Sequence, residues 1–263
     1  MSEVELLFLG SGTSAGIPMI GCHCEVCTSS DPRDRRTRPS VVVSSGGVRV
    51  LIDTAPELRL QCVANGVDSV DAVVYTHGHA DHIAGLDDLR RFNAIRRAPL
   101  DVWADHATHA VLDHCFGYAF KPPTPEERLF RPNLMRRLID GPFEVGPMRW
   151  TPIRLQHGPS EVLGFRVGPL AYCTDVSAIP DASLKLLENL DVLIIDGLQH
   201  HKHLAHFTVQ EACAAAARLK PRGTWLTHIA HGVRHEPTSR ALPDGVALAY
   251  DGLRIVASGG GTP

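Results

Sequence analysis

The sequence lacks the features that mark membrane, secreted and nucleic-acid-coating proteins. No apolar run approaches the roughly 20 residues that a membrane-spanning helix needs. The segment from Met1 to Glu5 is acidic and leads directly into an apolar strand pattern, unlike a secretory signal. The net charge is −3, so the chain has no basic excess to attract nucleic acid or an anionic membrane. We therefore expect a cytoplasmic protein with no membrane partner and no specific nucleic-acid footprint.

Internal repeats and linker-like changes of composition are absent as well. The 263 residues are 44% hydrophobic, which is enough apolar material for one sizeable core. We expect a single domain over residues 1–263. Within it, the segment 117–137 is rich in proline and charge, and we expect it to be an inserted loop.

Disulfide pairing is not indicated either. The chain has seven cysteines, an odd number, and no secretory signal, so its thiols are expected to stay reduced. Cys22, Cys24 and Cys27 lie close together, and this crowding favours thiolate ligation of a metal. A closed tetrahedral zinc site needs a fourth ligand. The best candidate is His231, because it lies three residues beyond another candidate ligand, His228, and the two can face different metals.

The segment from Thr76 to His82 places three histidines and one aspartate at a junction between two predicted elements. An apolar, β-branched run precedes it, and a run with helical spacing follows it. His77 and His79 are two residues apart, so they point to the same side of an extended chain. Asp81 and His82 lie at the helix start and can turn toward the same space. Imidazole and carboxylate ligands together suit zinc, iron or manganese, so the segment predicts a metal site.

Three later residues share one pattern, a polar side chain at the end of an apolar strand. They are His157, Asp175 and His228. Each alone is an ordinary turn residue. Because strand ends at one edge of a sheet converge, we expect the three to join the first histidine cluster in a site for two metals.

The order of the predicted elements indicates the fold class. Strands come first, and strands then alternate with helices, twice over. Gly46-Gly47 predicts a hairpin between two of the strands, and helices are predicted over residues 56–65, 83–89 and 208–219. We expect an α/β fold in which two sheets pack face to face with helices outside.

The histidine motif, followed in order by the three strand-end residues, resembles the metallo-β-lactamase superfamily over nearly the whole chain. The resemblance implies an αβ/βα sandwich of two mixed sheets, with helices on the outer faces and metals at one edge. It also implies two divalent metal ions, manganese or zinc. One ion would be bound by His77, His79 and His157 and the other by Asp81, His82 and His228, with Asp175 bridging the two.

Within the superfamily, the cysteine loop with its distant histidine resembles the PhnP-type phosphodiesterases of the carbon–phosphorus lyase pathway, in the tRNase Z-like branch. This resemblance implies one structural zinc bound by Cys22, Cys24, Cys27 and His231. The cysteine triplet also occurs in the pyrroloquinoline quinone biosynthesis B proteins. The long basic arm with which tRNase Z grips tRNA is not seen in this sequence. A homodimer is implied by the family alone.

The resemblance implies a metal-dependent phosphodiesterase. Its substrates would be small phosphodiesters, such as cyclic ribose phosphates or 2′,3′-cyclic nucleotides. The nucleophile would be a hydroxide bridging the metals, with Asp81 accepting a hydrogen bond from it. His206, just before the helix predicted at 208, matches the family histidine that donates a proton to the leaving group or stabilises phosphate charge. His203 is the alternative donor or a substrate contact.

Two other classes of function remain open from the sequence. A thioester or lactone hydrolase would use the same metal pair, and with a thioester no proton donor for a poor alkoxide leaving group would be needed. A non-catalytic metal-binding protein of cofactor biosynthesis is the other alternative. The complete ligand set argues against the latter, because a scaffold need not retain an open two-metal site.

Overall fold

The computed structural model describes residues 3–127 and 130–258. These residues contain the strands β1 Val4–Gly10, β2 Ser40–Ser45, β3 Val48–Ile52, β4 Ala72–Val74, β5 Leu100–Ala104, β6 Leu134–Leu138, β7 Phe143–Val145, β8 Met148–His157, β9 Ser160–Val167, β10 Leu170–Cys173, β11 Val192–Asp196, β12 Gly223–Thr227, β13 Val246–Leu248 and β14 Arg254–Ala257. The helices are α1 Leu58–Asn65, α2 Ala80–Ile83, α3 Leu89–Arg96, α4 His106–Phe116, α5 Asp181–Leu184, α6 Val209–Leu219 and α7 His235–Ala241. No helix in the described ranges is both long and apolar enough to cross a bilayer.

The strands form two seven-stranded sheets. The first has the order β14-β1-β2-β3-β4-β5-β6 and the second the order β13-β12-β11-β10-β9-β8-β7. In the first sheet, pairing is antiparallel from β14 to β3 and parallel from β3 to β6. In the second, pairing is antiparallel from β7 to β10 and parallel from β10 to β13. Both sheets are therefore mixed, as predicted.

The hydrophobic clusters show that the sheets lie face to face between two helical layers. The central cluster contains buried side chains of both sheets, such as Phe8 and Val74 from the first and Trp150 and Phe165 from the second. A second cluster packs α1, α3 and α4 on the outer face of the first sheet, and a third packs α6 on the outer face of the second. The αβ/βα sandwich is confirmed.

The carboxyl ends of the parallel strands lie together at one edge of the sandwich. In the first sheet, β3 and β4 end at this edge, and in the second β8, β10, β11 and β12 do. The backbone N–H of Leu163 in β9 donates a hydrogen bond to the carbonyl of Thr76 after β4 at 3.0 Å, an ordinary length for such a bond. This hydrogen bond joins the two sheets. Polar groups that follow these strands are thereby collected in one place.

The segment 117–137 was expected to be an inserted loop, and residues 128 and 129 of it lie outside the described residues. Its described part is only partly a loop. It begins with a 3₁₀ turn, Gly117–Phe120, and its end forms most of β6, which pairs with β5. The side chains of β6 after Leu134 are exposed, so this edge strand lacks the apolar pattern that identifies a strand in the sequence. Pairing with β5 fixes its conformation instead.

Candidate metal centre

The first histidine motif occupies the loop after β4 and helix α2. All residues of β4 are buried, because the strand lies between the central core and the helices outside. His79 takes the N-cap position of α2 with extended backbone, so Asp81 and His82 fall in the helix and His77 precedes it. The Nε2 atom of His77 and the Nδ1 atom of His79 lie 2.9 Å apart. The motif therefore concentrates its donor atoms on one side of the loop.

His157, the last residue of β8, completes a group of three histidines. Its ring centroid lies 5.6 Å from that of His77 and 5.2 Å from that of His79. One ring nitrogen of each residue lies within 4.8 Å of the others. The Nδ1 atom of His157 is hydrogen-bonded to the backbone carbonyl of Ala205 at 2.7 Å, which leaves Nε2 for the group.

Asp81, His82 and His228 form a second group. The Nε2 atoms of His82 and His228 lie 3.4 Å and 3.5 Å from the same oxygen, Oδ2 of Asp81. The two imidazole rings are nearly parallel, with centroids 5.9 Å apart. His228 follows β12 in the left-handed conformation, with φ of 58°, which turns its side chain back toward α2.

Asp175 lies between the two groups. Its Oδ1 is 3.8 Å from Nε2 of His157 and 3.4 Å from Nε2 of His228, and its Oδ2 is 3.3 Å from Nε2 of His82. The residue follows β10 and is buried. A single carboxylate therefore reaches both groups, which is the arrangement of a ligand shared by two cations.

The charges in the centre are strongly coupled. Burial opposes ionisation of Asp175, but His228 and His82 outweigh it and place its pKa well below the usual range. Burial also opposes charge on the two histidines, yet Asp175 raises the pKa of His228 to about 9 and, with Asp53, raises that of His82 well above its ordinary value. The Asp175 carboxylate is thus negatively charged and is stabilised by positive charge nearby. Bound cations can supply that charge in place of the protons on the two histidines.

The geometry fits divalent metal ions. The Nε2 atom of His82 is buried and has no hydrogen-bond partner. Its nearest carboxylate oxygens, at 3.3 Å and 3.4 Å, are farther than a charge-assisted hydrogen bond of roughly 2.7–2.9 Å allows. Two ligands of one zinc ion, each about 2.0–2.2 Å from it, are separated by about 3.3–3.6 Å at the tetrahedral angle. These donor types are also those that zinc and manganese accept.

Asp53 belongs to the centre but was missed by the sequence analysis. It follows β3, is fully buried and has a left-handed φ of 61°. Its carboxylate accepts hydrogen bonds from the backbone N–H and hydroxyl of Thr76, both at 2.8 Å, and from Nδ1 of His82 at 2.7 Å. This contact fixes the imidazole with Nε2 toward the ligand group. The available signal was an aspartate after a buried strand, the same signal that identified Asp175.

His206 lies beside both ligand groups and has a carboxylate partner of its own. Its ring stacks on that of His228 at 4.7 Å and meets that of His157 edge-on at 4.6 Å. Its Nδ1 donates to Oδ2 of Asp196 at 2.6 Å, an oxygen that also accepts from the backbone N–H of Val176. Asp196, the last residue of β11, was missed by the sequence analysis. The contact leaves Nε2 of His206 as the free nitrogen.

Two roles are compatible with the position of His206. A donor atom of His206 lies within 4.8 Å of donor atoms of His157 and Asp175, so it is close enough to act as a ligand. Its Nε2, left free by the contact with Asp196, makes it equally a candidate proton donor. His203, its neighbour in sequence, is exposed, and the two ring centroids are 5.1 Å apart.

The three loop cysteines surround His231. Their sulfur atoms lie 3.3 Å (Cys22), 3.4 Å (Cys24) and 3.9 Å (Cys27) from its Nδ1. A tetrahedral zinc ion with Zn–S near 2.3 Å and Zn–N near 2.0–2.1 Å separates sulfur and nitrogen by about 3.6 Å, so the cluster fits one zinc. The backbone N–H of Cys27 lowers the pKa of Cys24 to about 6, and burial raises the pKa of Cys27 to about 11. His23, within the same loop, is exposed.

Comparison with known proteins agrees with this architecture. A family model described as the beta-lactamase superfamily domain matches residues 48–229. The crystal structure of a new diphosphatase from the PhnP family is 43% identical and superposes with a TM-score of 0.91, covering 97% of this chain and 98% of that one. The fold and the match define a protein of the metallo-β-lactamase superfamily. Within that superfamily, this chain belongs to the PhnP family.

Similar curated proteins carry several different names. The octanoyltransferase of Porphyromonas gingivalis is 36% identical over 257 residues, which are 96% of this chain and 51% of that protein. The chain thus spans about half the length of that relative. Coenzyme PQQ synthesis protein B of Methylobacterium sp. (strain 4-46) is 27% identical over 231 residues, 74% of this chain and 73% of that protein. Ribonuclease Z of Bradyrhizobium sp. is 34% identical over 112 residues, 41% and 31% of the two chains.

Proposed function

We propose that this chain is a dinuclear metal-dependent phosphodiesterase that cleaves small phosphodiesters, such as cyclic ribose phosphates or 2′,3′-cyclic nucleotides. The observation that carries the proposal is the Asp175 carboxylate shared by two ligand groups, with the His206–Asp196 pair beside it. The PhnP-family neighbour is described as a diphosphatase, an enzyme that also breaks a phosphorus–oxygen bond. Ribonuclease Z, a partial relative, is named for RNA, whose backbone linkage is a phosphodiester.

The proposal gives each ligand group one divalent ion, zinc or manganese. One ion would be held by His77, His79 and His157 and the other by Asp81, His82 and His228, with Asp175 bridging. When bound, the ions would supply Lewis acidity toward the phosphoryl oxygens and make water a nucleophile at neutral pH. A third ion, a structural zinc, would be held by Cys22, Cys24, Cys27 and His231. A homodimer in the cytoplasm is proposed from the family resemblance.

The remaining steps fall to side chains of this chain. Asp81 would accept a hydrogen bond from the attacking water and so orient it toward phosphorus. His206 would donate its Nε2 proton to the leaving oxygen, which an alkoxide needs because it is a strong base. Asp196 would stabilise the protonated imidazole, because its carboxylate bonds Nδ1 at 2.6 Å.

An acyl thioester is the second candidate substrate. The observation in its favour is the name of the half-matched relative, octanoyltransferase. A thiolate is a far weaker base than an alkoxide, so its departure needs no proton from His206. The contribution of His206 to turnover therefore separates the two candidates.

The proposal is tested by activity measurements on metal-depleted protein reconstituted with zinc or manganese singly. The substrates are bis-p-nitrophenyl phosphate, 2′,3′-cyclic AMP, a lactone and an octanoyl thioester. We expect cleavage of the two phosphodiesters, and His206→Ala should slow that of the cyclic nucleotide by about 10²–10⁴-fold with the metal content unchanged. His201→Ala, in the same exposed loop, is the matched control and should behave as the wild type.

Two results would replace the proposal. Thioester cleavage that survives His206→Ala, without phosphodiester cleavage, would favour the acyl substrate. Stoichiometric metal binding without turnover of any of the four substrates would favour a metal-binding role in cofactor biosynthesis.

A further inference from the structure

We propose that Thr76 is a positioning residue whose hydroxyl group fixes the ring proton of His77 on Nδ1 and so directs Nε2 toward one of the two ions. That ion is the one assigned to the three-histidine group, which consists of His77, His79 and His157. The inference rests on the two-ion centre of the proposed function and concerns the affinity of one ion in it. Two hydrogen bonds, from His77 to Thr76 and from Thr76 to Asp53, carry it.

A threonine directly precedes a candidate ligand at three strand ends of the metal centre. The pairs are Thr76-His77 after β4, Thr174-Asp175 after β10 and Thr227-His228 at the end of β12. All three threonines are buried, so their hydroxyl groups depend on partners within the protein. The hydroxyl group of Thr76 contacts the ring of His77, whereas that of Thr227 has no hydrogen-bond partner in the described part of the chain. Thr227 is therefore a matched control for Thr76.

The direction of the hydrogen bonds follows from the number of protons available. The hydroxyl group of Thr76 has one proton, and it donates this proton to Oδ2 of Asp53 at 2.8 Å, because an ionised carboxylate can only accept. The Thr76 oxygen therefore presents a lone pair to Nδ1 of His77 at 3.0 Å. Nδ1 must then carry the ring proton, which leaves the lone pair of Nε2 free in a neutral imidazole. Nε2 lies 2.9 Å from Nδ1 of His79, within the three-histidine group.

Loss of the hydroxyl group should affect one ion more than the other. His77 is buried, so its Nδ1–H would lose its acceptor and the ring its orientation. His82, a ligand of the other group, is bonded directly to Asp53 at 2.7 Å, and its Nδ1 lies farther from the Thr76 oxygen, at 3.4 Å. The backbone N–H of residue 76 keeps its bond to Asp53 in any variant. The ion of the three-histidine group should therefore depend on the hydroxyl group, and the other ion should not.

Competition with a chromogenic chelator on the zinc-loaded full chain measures the affinities of both active-site ions. Valine has the shape of threonine without the hydroxyl group, so Thr76→Val should weaken the binding of one ion by about 10–100-fold. The other ion should keep its affinity. Thr76→Ser should restore most of the loss, because serine keeps the hydroxyl group. Thr227→Val, which removes a buried hydroxyl group that has no partner, should leave both affinities unchanged.

Side-chain ¹H–¹⁵N spectra recorded during the competition identify the ion that is lost first. In Thr76→Val, the signals of His79 and His157 should change before that of His228. The wild type provides a measurement that needs no variant. Its His77 Nδ1 proton should be observed and should exchange slowly with water, because it is buried and bonded to Thr76.

Four results would overturn the inference. They are equal affinities of Thr76→Val and Thr227→Val for both ions, an equal loss at both ions in Thr76→Val, no recovery in Thr76→Ser, and absence of the slowly exchanging His77 proton in the wild type. Cleavage of bis-p-nitrophenyl phosphate, measured in parallel, tests the phosphodiesterase function separately, because zinc affinity is measured without turnover.

Discussion

At the scale of single residues, two buried aspartates have equivalent positions in the two sheets. Asp53 follows β3 and Asp196 ends β11, and each accepts a backbone N–H from the turn after a neighbouring strand. Each also bonds Nδ1 of a histidine, His82 in one case and His206 in the other. The two histidines differ in the role proposed for the free Nε2. In His82 it faces the ligand group of Asp81 and Asp175, and in His206 it is the proposed proton donor. Substituting the two aspartates therefore separates metal binding from proton donation.

Asp196→Asn is expected to slow substrates with alkoxide leaving groups on the order of 10²-fold and to leave the bound metal unchanged. Asparagine keeps the shape of the side chain but not the charge that stabilises a protonated imidazole. The measurement compares kcat for 2′,3′-cyclic AMP with kcat for bis-p-nitrophenyl phosphate, whose p-nitrophenolate leaves without a proton. Equal losses on both substrates would mean that Asp196 does not act through proton donation.

Asp53→Asn, the matched variant, is expected to weaken the binding of one active-site ion by about 10–100-fold. The reason is that the Asp53 carboxylate orients His82 and increases the basicity of its Nε2. Competition with a chromogenic chelator measures the affinity for the metal ion. At limiting metal, the activity of the variant toward both phosphodiesters should fall by the same factor. Unchanged metal affinity would exclude this role for Asp53.

At the scale of secondary structure elements, local sequence rules predicted the hairpin between β2 and β3 at Gly46-Gly47 and the helices α1 and α6. Helix α6 begins after Thr208, whose hydroxyl forms a reciprocal capping box with Glu211. Helix α1 ends at Gly66, which has the left-handed conformation of a C-terminal cap. These signals involve residues within one turn of each other, so they can be read without the fold.

The helix predicted over residues 83–89 illustrates what local rules miss. The chain forms α2, then a 3₁₀ turn at Leu86–Asp88, and then α3. At the break, Gly85 donates its N–H to the carbonyl of Thr54 at 2.9 Å, and a Cβ built there would lie 2.1 Å from the carbonyl oxygen of Ala55. The turn after β3 therefore bends this segment. The cause is a contact between residues about 30 positions apart in the chain, which the helical spacing does not contain.

Gly85→Ala is expected to lower the free energy of unfolding by about 1–3 kcal/mol, because backbone must move to admit the methyl group. Urea denaturation measures the change. Gly117→Ala is the control: its Cβ would meet nothing within 4 Å and its φ is −53°, so its stability should change by less than about 1 kcal/mol. Similar stability of the two variants would contradict the close contact at Gly85.

For the candidate site, the sequence predicted the ligands but not the two aspartates that orient the histidines. The seven active-site ligands were proposed because each lies at a strand end or in the dense histidine motif. Asp53 and Asp196 are also at strand ends, but their histidine partners lie 29 and 10 residues away in sequence. Their pairing depends on which strands are neighbours in each sheet, and this information comes only with the fold.

Cys22→Ser is expected to lower the free energy of unfolding and to remove one zinc per chain, with the active-site metals retained. The cysteine loop has only a small apolar cluster of its own, formed by Ile17, Val26 and Cys27 with partly buried neighbours. Metal binding must therefore supply much of the free energy that orders it. Urea denaturation and metal analysis test this, with Cys115→Ser, an exposed cysteine, as the control. Normal stability together with loss of the active-site metals would contradict the structural role.

At the scale of the whole molecule, the two sheets have the same plan. Each begins with antiparallel pairs and continues with parallel ones, although the sequence contains no repeat. The first sheet contributes the histidine motif, and the second contributes His157, Asp175 and His228. The candidate centre thus lies on the seam between the halves. Ions bound there would cross-link the sheets, so metal binding and folding stability are expected to depend on each other.

The pH dependence of this coupling can be measured as the difference in Tm between metal-loaded and EDTA-treated protein. In the metal-free protein Asp175 outweighs burial and raises the pKa of His228 from 6.5 to about 9. The resulting stabilisation is fully present below pH 6.5 and is lost as the pH rises through about 9. Metal ligation requires neutral imidazole, so metal affinity increases over the same interval. The Tm difference should therefore widen steadily from pH 6.5 to 9. A constant or narrowing difference would show that protons and metal ions do not compete for the same carboxylate-bound histidines.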